Sequence, residues 1–353
     1  MLKDLLVGVS SWKKLEERIS SLETVNERGE VFEEFCKAYF ELNPVYQTKK
    51  VHRKIPPSIA AKLGHPGRKD IGIDGIIETK NDEIHAYQAK FRQDRNNTPT
   101  WSELATFYGI SDKADYRFII TNANNIPKQV NDRTKQGRIT AGDLERLDRD
   151  FFVRLRTFVL EKIVAIPKRL EPHQTQKEVI QAGLKYFAEN ERGKLVLPCG
   201  TGKTLASLWL TEHIGAKNIL VMVPSLALMR QTLKEWSEQS NEGFSYLCLC
   251  SDVSVEGHDP IIENIYEMDV RVSTDIDEVS KFLNRKTNTK KVLFSTYQSS
   301  KVLSDATLKT KTRFDIGIFD EAHRTTGTKT GVWNIAVDDK QVPIKKRLFM
   351  TAT

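Results

Sequence analysis

Apolar residues at three- and four-residue spacing open the chain. Residues 5–22 carry this pattern among many charges, which predicts an amphipathic helix. A second helix is predicted over residues 26–42, with Val31, Phe32, Phe35, Tyr39 and Phe40 on one face and Pro44 just beyond its end. The spacing then changes to alternation. Residues 69–78 and 84–90 read as two strands joined by a turn at Asn81 and Asp82. A helix near 101–108, a buried strand over 116–121, a turn at 122–125 and a helix over 143–164 follow, and residues 166–169 read as a linker. A helix begins over residues 170–174, with Pro172 in its first turn. From there short continuous apolar runs, at 195–197, 218–223, 291–298, 314–319 and 348–353, alternate with helical stretches. A short strand and turn at 272–275 and a helix over 276–283 complete the pattern. The fold class is α/β, and the second half reads as a parallel sheet with ligands gathered at the carboxyl ends of its strands.

The run that ends in Pro198 is followed by Gly200, Thr201, Gly202, Lys203 and Thr204, and a helix begins at Leu205. A phosphate needs backbone N–H groups at close range, so side chains must be absent, and it favours the positive end of a helix. Lys203 is placed to reach the β- and γ-phosphates of ATP, and the Thr204 hydroxyl to ligate Mg²⁺. Leu197 stands where the strict phosphate-loop pattern has glycine, so the match covers the Gly-Lys-Thr half. The apolar run 314–319 ends in Asp320 and Glu321, with His323 close behind. A nucleotide site needs a carboxylate on the metal side and a group to orient the attacking water; Asp320 fits the first role and Glu321 the second.

A second chemistry lies in the first half. Asp74 is on the first alternating segment, and Gln88 and Lys90, two apart, face one side of the second. Paired across a hairpin, the three converge. A hard divalent cation takes oxygen ligands, and phosphodiester hydrolysis needs that metal plus a group that positions water. Asp74 can ligate, Gln88 can offer its carbonyl, and Lys90 can hold water and offset charge. Basic residues at 49–54 and 67–69 read equally well as phosphate contacts or as solvated loops.

Charge and composition add bounds. The 353 residues suggest two domains or a little more. A net charge of +7 makes a polyanionic partner plausible. Cys36, Cys199, Cys248 and Cys250 have neither zinc-like nor disulfide-like spacing, which fits reduced thiols in the cytoplasm. No apolar run is long enough to span a bilayer. The acidic stretch around 259–269 suggests no chemistry.

These residues resemble two families. Gly29, Phe32 and Glu33, then Asp74-Gly75, then Gln88 and Lys90, resemble the Mrr-like branch of the PD-(D/E)xK nucleases. The resemblance implies a restriction-endonuclease-like αβββαβ domain over 1–165. It makes Glu33, Asp74 and Gln88 metal ligands and Lys90 catalytic. Gln88, in place of the commoner Glu, removes a negative charge. That leaves a second reading open, a nuclease-like domain that only binds DNA. The second half resembles the superfamily 2 helicases, through residues 170–174, Gly200 to Thr204, Pro224-Ser225, Ser295 to Gln298, Asp320 to His323 and Thr351 to Thr353. This implies one RecA-like lobe over 166–353 with a DEAH box. Gln174 would read the adenine, with Gln176 a neighbouring alternative. Pro224, Ser225, Thr296, Tyr297 and Gln298 would grip a nucleic-acid backbone. The order nuclease then motor resembles the translocating subunits of ATP-dependent restriction enzymes, type I or single-chain type ISP, which act on double-stranded DNA. The chain stops after Thr353, so a second lobe, and possibly methyltransferase and recognition domains, are expected elsewhere in a longer parent. Without the arginine finger of that lobe, ATP turnover is expected to be slower by about 10³ to 10⁵. An RNA-directed motor with an interaction module in front is the remaining alternative.

Overall fold

The computed structural model describes residues 1–65, 72–131, 133, 135–198, 200–250, 270, 272–322 and 335–352. They form two compact units, Met1–Lys168 and Arg169–Thr353.

In the first unit a five-stranded sheet runs in the order β1 (Thr48–His52), β2 (Gly75–Thr79), β3 (Ile84–Lys90), β4 (Tyr116–Thr121), β5 (Gln136–Ile139). The pairs β1/β2 and β2/β3 are antiparallel, while β3/β4 and β4/β5 are parallel. The helix Val25–Leu42 covers this sheet. Its start is fixed by a capping box, in which the Thr24 side chain accepts from the Glu27 N–H and the Glu27 carboxylate accepts from the Thr24 N–H. Val31, Phe32, Phe35, Cys36, Tyr39 and Phe40 are buried along one face. The Phe40 ring lies 4.9 Å from Tyr87 on β3, and Trp12 lies 4.9 Å from Phe35. Each such ring taken from water stabilises the unit by about 1.5–3 kcal/mol.

Three expected helices differ. The stretch 5–22 is two helices, Leu2–Leu5 and Trp12–Ser20, because Gly8 takes a left-handed φ of 71° and Ser11 caps a new start. The stretch 143–164 is likewise Ala141–Glu145 and Arg149–Glu161, restarted where the Asp148 side chain accepts from the Phe151 N–H. The helix expected from 170 begins at Gln174, with His173 as its cap and Pro172 outside it.

The second unit holds a seven-stranded sheet in the order β6 (Arg192–Val196), β12 (Ile344–Thr351), β11 (Phe314–Phe319), β7 (Asn218–Val223), β10 (Lys290–Thr296), β8 (Phe244–Leu249), β9 (Val272–Ser273). Every pairing is parallel. The central strands β7, β10 and β11 are almost wholly buried, and β7 and β11 are mostly apolar, as a sheet covered on both faces requires. No described helix is long and apolar enough to cross a membrane.

Candidate active sites

In the first unit, Asp74 sits one residue before β2, not within a strand as expected, and its N–H donates to the Tyr87 carbonyl at 3.2 Å. That bond continues the β2/β3 ladder and fixes where the carboxylate points. Asp74 Oδ2 accepts from the Gln88 side-chain Nε2 and from the Ala89 N–H, each at 2.7 Å. Gln88 is 5% exposed on β3, held between β2 and β4. Lys90 ends the same strand, half-buried and on the Gln88 face.

Gly75 explains how close the hairpin packs. A Cβ there would stand 2.2 Å from the Tyr87 ring, which lies over it. The Cys36 thiol and the Tyr87 hydroxyl are buried nearby, within electrostatic reach of Asp74. Burial pushes both groups well up, and the carboxylates of Asp74 and Glu33 push in the same direction. Arg53 acts on both groups in the opposite sense. Three charges from three elements, Glu33 on the helix, Arg53 after β1 and Asp74 before β2, thus act on the same two buried groups.

Glu33 has a partner that sequence pattern does not reveal. Arg53 Nη2 donates to Glu33 Oε2 at 2.8 Å and to Glu30 Oε2 at 2.7 Å. Arg53 belongs to the 49–54 basic run, most of which is β1. Residues 67–69 lie outside the described residues. Among the described residues, no group of three or more His, Cys, Asp or Glu is gathered as for a metal. The candidate ligands are the carboxylates of Glu33 and Asp74 and the carbonyl of the Gln88 amide, oxygens of the kind a hard divalent cation takes.

In the second unit, Gly200 and Gly202 have φ of 79° and 77°, a left-handed backbone that favours glycine. Gly202 caps the helix Lys203–Ile214. The loop is tied from several sides: Leu197 N–H donates to the Thr351 carbonyl at 3.1 Å, the Thr201 hydroxyl to Pro198 O at 2.7 Å, and Trp236 Nε1 to Thr204 O at 3.0 Å. Lys203 Nζ donates to Leu197 O at 3.3 Å, across the mouth of the loop.

Asp320 follows β11 and is 8% exposed; its N–H donates to Met222 O at 2.9 Å. Burial raises its carboxyl above the usual range, the Glu321 N–H bonded to Oδ1 at 3.0 Å opposes this, and the Glu321 carboxylate adds to it. The Lys203 ammonium also lowers it, so the phosphate loop and the acidic pair share one electrostatic neighbourhood. Glu321 takes a left-handed φ of 50°. His323 and Thr353 lie outside the described residues, as do Cys199 and residues 251–269.

The remaining expected residues fall into place unevenly. Gln174 is exposed and donates to Glu178 at 2.8 Å. Gln176 is the buried one: its Nε2 donates to Thr201 O at 3.2 Å and fills the space beside Gly202. Pro224 is buried, and Ser225 caps the helix Leu226–Gln239 through its hydroxyl. Thr296 is buried and shares a hydrogen bond with Ser299. Tyr297 is fully buried and cannot offer its ring to nucleic acid, because its hydroxyl donates to the Asp320 carbonyl at 2.8 Å. Gln298 is half-buried, with Oε1 enclosed and without a partner.

Comparison with known proteins agrees with this geometry. Residues 169–353, just over half of the chain, match the family "Type III restriction enzyme, res subunit". Residues 46–153 match a restriction endonuclease family. Probable helicases of African swine fever virus are 32% identical in one isolate and 31% in another over 190 residues, 52% of this chain. The chain spans 19% of their length. The solved structure of the ATP-dependent type ISP restriction-modification enzyme LlaBIII bound to DNA shares the fold, with a TM-score of 0.77 and 24% identity over 98% of this chain and 22% of that one. The chain belongs to the family of the type III restriction enzyme res subunit, and it carries a restriction-endonuclease domain ahead of the motor lobe.

Proposed function

We propose that the chain is the cutting and ATP-binding part of a DNA-restriction machine, in which ATP hydrolysis drives movement along duplex DNA and the first unit cuts it. The carrying observation is that each unit gathers its own phosphate chemistry. Asp74 is held against Gln88, Glu33 is held by Arg53 and acts with Asp74 on the same buried groups, and Lys203 acts on Asp320 beside a glycine loop. In the first unit Mg²⁺ would be held by Asp74, Glu33 and the Gln88 carbonyl; when bound it polarises the scissile phosphate and lowers the pKa of water. Lys90 holds that water and offsets negative charge. Gln88 now meets Asp74 with its NH₂ end, so ligation requires the amide to turn.

In the second unit the backbone N–H groups from Gly200 to Thr204 cradle the ATP phosphates, and Lys203 reaches the outer ones. Thr204 and Asp320 would hold Mg²⁺ and Glu321 would orient water, with His323 of the same sequence motif outside the described residues. The helix start at Gln174 and Gln176 meets the adenine side. Ser225 and Gln298 lie at strand ends where a nucleic-acid backbone would pass. The complete machine acts in the cytoplasm and uses a second motor lobe to couple hydrolysis to movement. A domain boundary at 165/166 falls in the irregular stretch that precedes Gln174, close to the division of the two units at Lys168/Arg169.

A supercoiled-plasmid nicking assay with Mg²⁺ titration tests the reading. The chain should nick only with metal, and Asp74→Ala or Lys90→Ala should abolish nicking. Metal-independent cutting, or full cutting by Asp74→Ala, contradicts it. The neutral Gln88 favours the rival, a unit that binds duplex without cutting. The rival predicts retained DNA binding with no nicking at any metal concentration.

A further inference from the structure

Arg53 is a cation lodged among the acids of the proposed metal site. A single nitrogen, Nη2, bridges Glu30 and Glu33, which sit three apart on one helix face. Burial disfavours the guanidinium charge, yet the hydrogen bonds to Glu30 and Glu33 outweigh this and raise its pKa above the usual value. The buried Nε has no partner. The same guanidinium acts electrostatically on Cys36 and Tyr87, together with Glu33 and Asp74. Arg53 and a divalent metal therefore compete for one carboxylate. Glu30 is 64% exposed and can remain with water when the pair opens.

A guanidinium has a planar fork of donors suited to phosphate, and Arg53 leaves part of that fork unused. We propose that Arg53 is an exchangeable counter-ion of the nuclease centre: without nucleic acid it withholds Glu33 from the metal, and a phosphodiester that takes up the guanidinium releases Glu33 to it. This rests on the nuclease reading above. It makes Arg53 a positioning residue and makes metal and duplex binding mutually reinforcing, since linkage between two ligands is reciprocal. Cutting is then confined to a loaded site even though the acids are permanently in place.

The test is Mn²⁺ affinity, read by electron paramagnetic resonance on the full chain, with and without a duplex. Lys90→Ala serves as the background in the duplex arms to prevent cutting. Duplex should tighten Mn²⁺ binding in the parent background. Arg53→Met should tighten DNA-free Mn²⁺ binding severalfold, the scale of one ion pair that no longer has to open. It should also remove the effect of duplex. Arg53→Lys keeps the charge but not the fork and should lie between, which covers the case where Arg53→Met does not fold. Unchanged Mn²⁺ affinity in both Arg53 variants, with one Mn²⁺ site still lost in Asp74→Asn, overturns the counter-ion role and leaves the nuclease reading standing. Asp74→Asn that loses no Mn²⁺ site overturns the nuclease reading, and the counter-ion with it.

Discussion

Gly75 and Asp320 show how far single positions carry the account. A Cβ at Gly75 would meet Tyr87 ring atoms at 2.2–2.3 Å, in a core that cannot open around it. Gly75→Ala should therefore destabilise the first unit by about 1–3 kcal/mol, the cost of overpacking, seen as a lower denaturation midpoint. Asp320 bears on pH. Its carboxyl is raised by burial, so it stays protonated to a higher pH than an exposed acid, and only the ionised form holds metal well. Mg·ATP affinity should fall on acidification through a pH above the ordinary carboxylate range. A fluorescent-nucleotide titration across pH measures this, and Asp320→Asn should bind weakly with a flat profile. At this scale the sequence is informative where local periodicity rules. Gln88 and Lys90 share a face because strands alternate, and Asp74 meets Gln88 because a hairpin folds back. It is silent on Arg53 and Glu33, which are twenty residues apart and joined only by tertiary packing. It also suggests Tyr297 as a ligand contact, because a polar-tipped aromatic at a strand end has the same pattern whether its ring faces solvent or core.

Elements turn those positions into coupled parts. The loop after β10 and the acidic end of β11 are joined by the Tyr297 hydroxyl, which donates to the Asp320 carbonyl inside the core. Tyr297→Phe leaves that carbonyl without its donor and should cost about 1 kcal/mol. If the bond also sets the position of Asp320, Mg·ATP affinity should fall too, and calorimetry on the variant reads both effects. The phosphate loop is braced in the same manner by Gln176 and Trp236 from two different helices. Strands β7 and β11 are legible in the sequence because each is a buried apolar run, and residues 218–223 and 314–319 coincide with them; the pattern passes over β8, and β6 is largely exposed. The helices that differ do so at caps. Ser11 and Asp148 end one helical repeat and begin another, and apolar spacing alone passes over both.

At the scale of the molecule, two compact units share one chain, each with its own proposed phosphate site. Residues 162–173 carry no helix or strand, and Ile163, Val164, Ile166 and Leu170 are exposed there. Limited proteolysis should cut in this stretch first and release two folded pieces, each melting cooperatively. A first cut inside either sheet would argue against independent units. The most direct measurement is a crossed comparison in which plasmid nicking and ATP binding are read on the same preparations of the chain, Asp74→Ala and Lys203→Ala. The account predicts that Asp74→Ala loses nicking and keeps ATP binding, and that Lys203→Ala does the reverse. Loss of both activities in either variant, or of neither, contradicts two independent phosphate chemistries on one polypeptide.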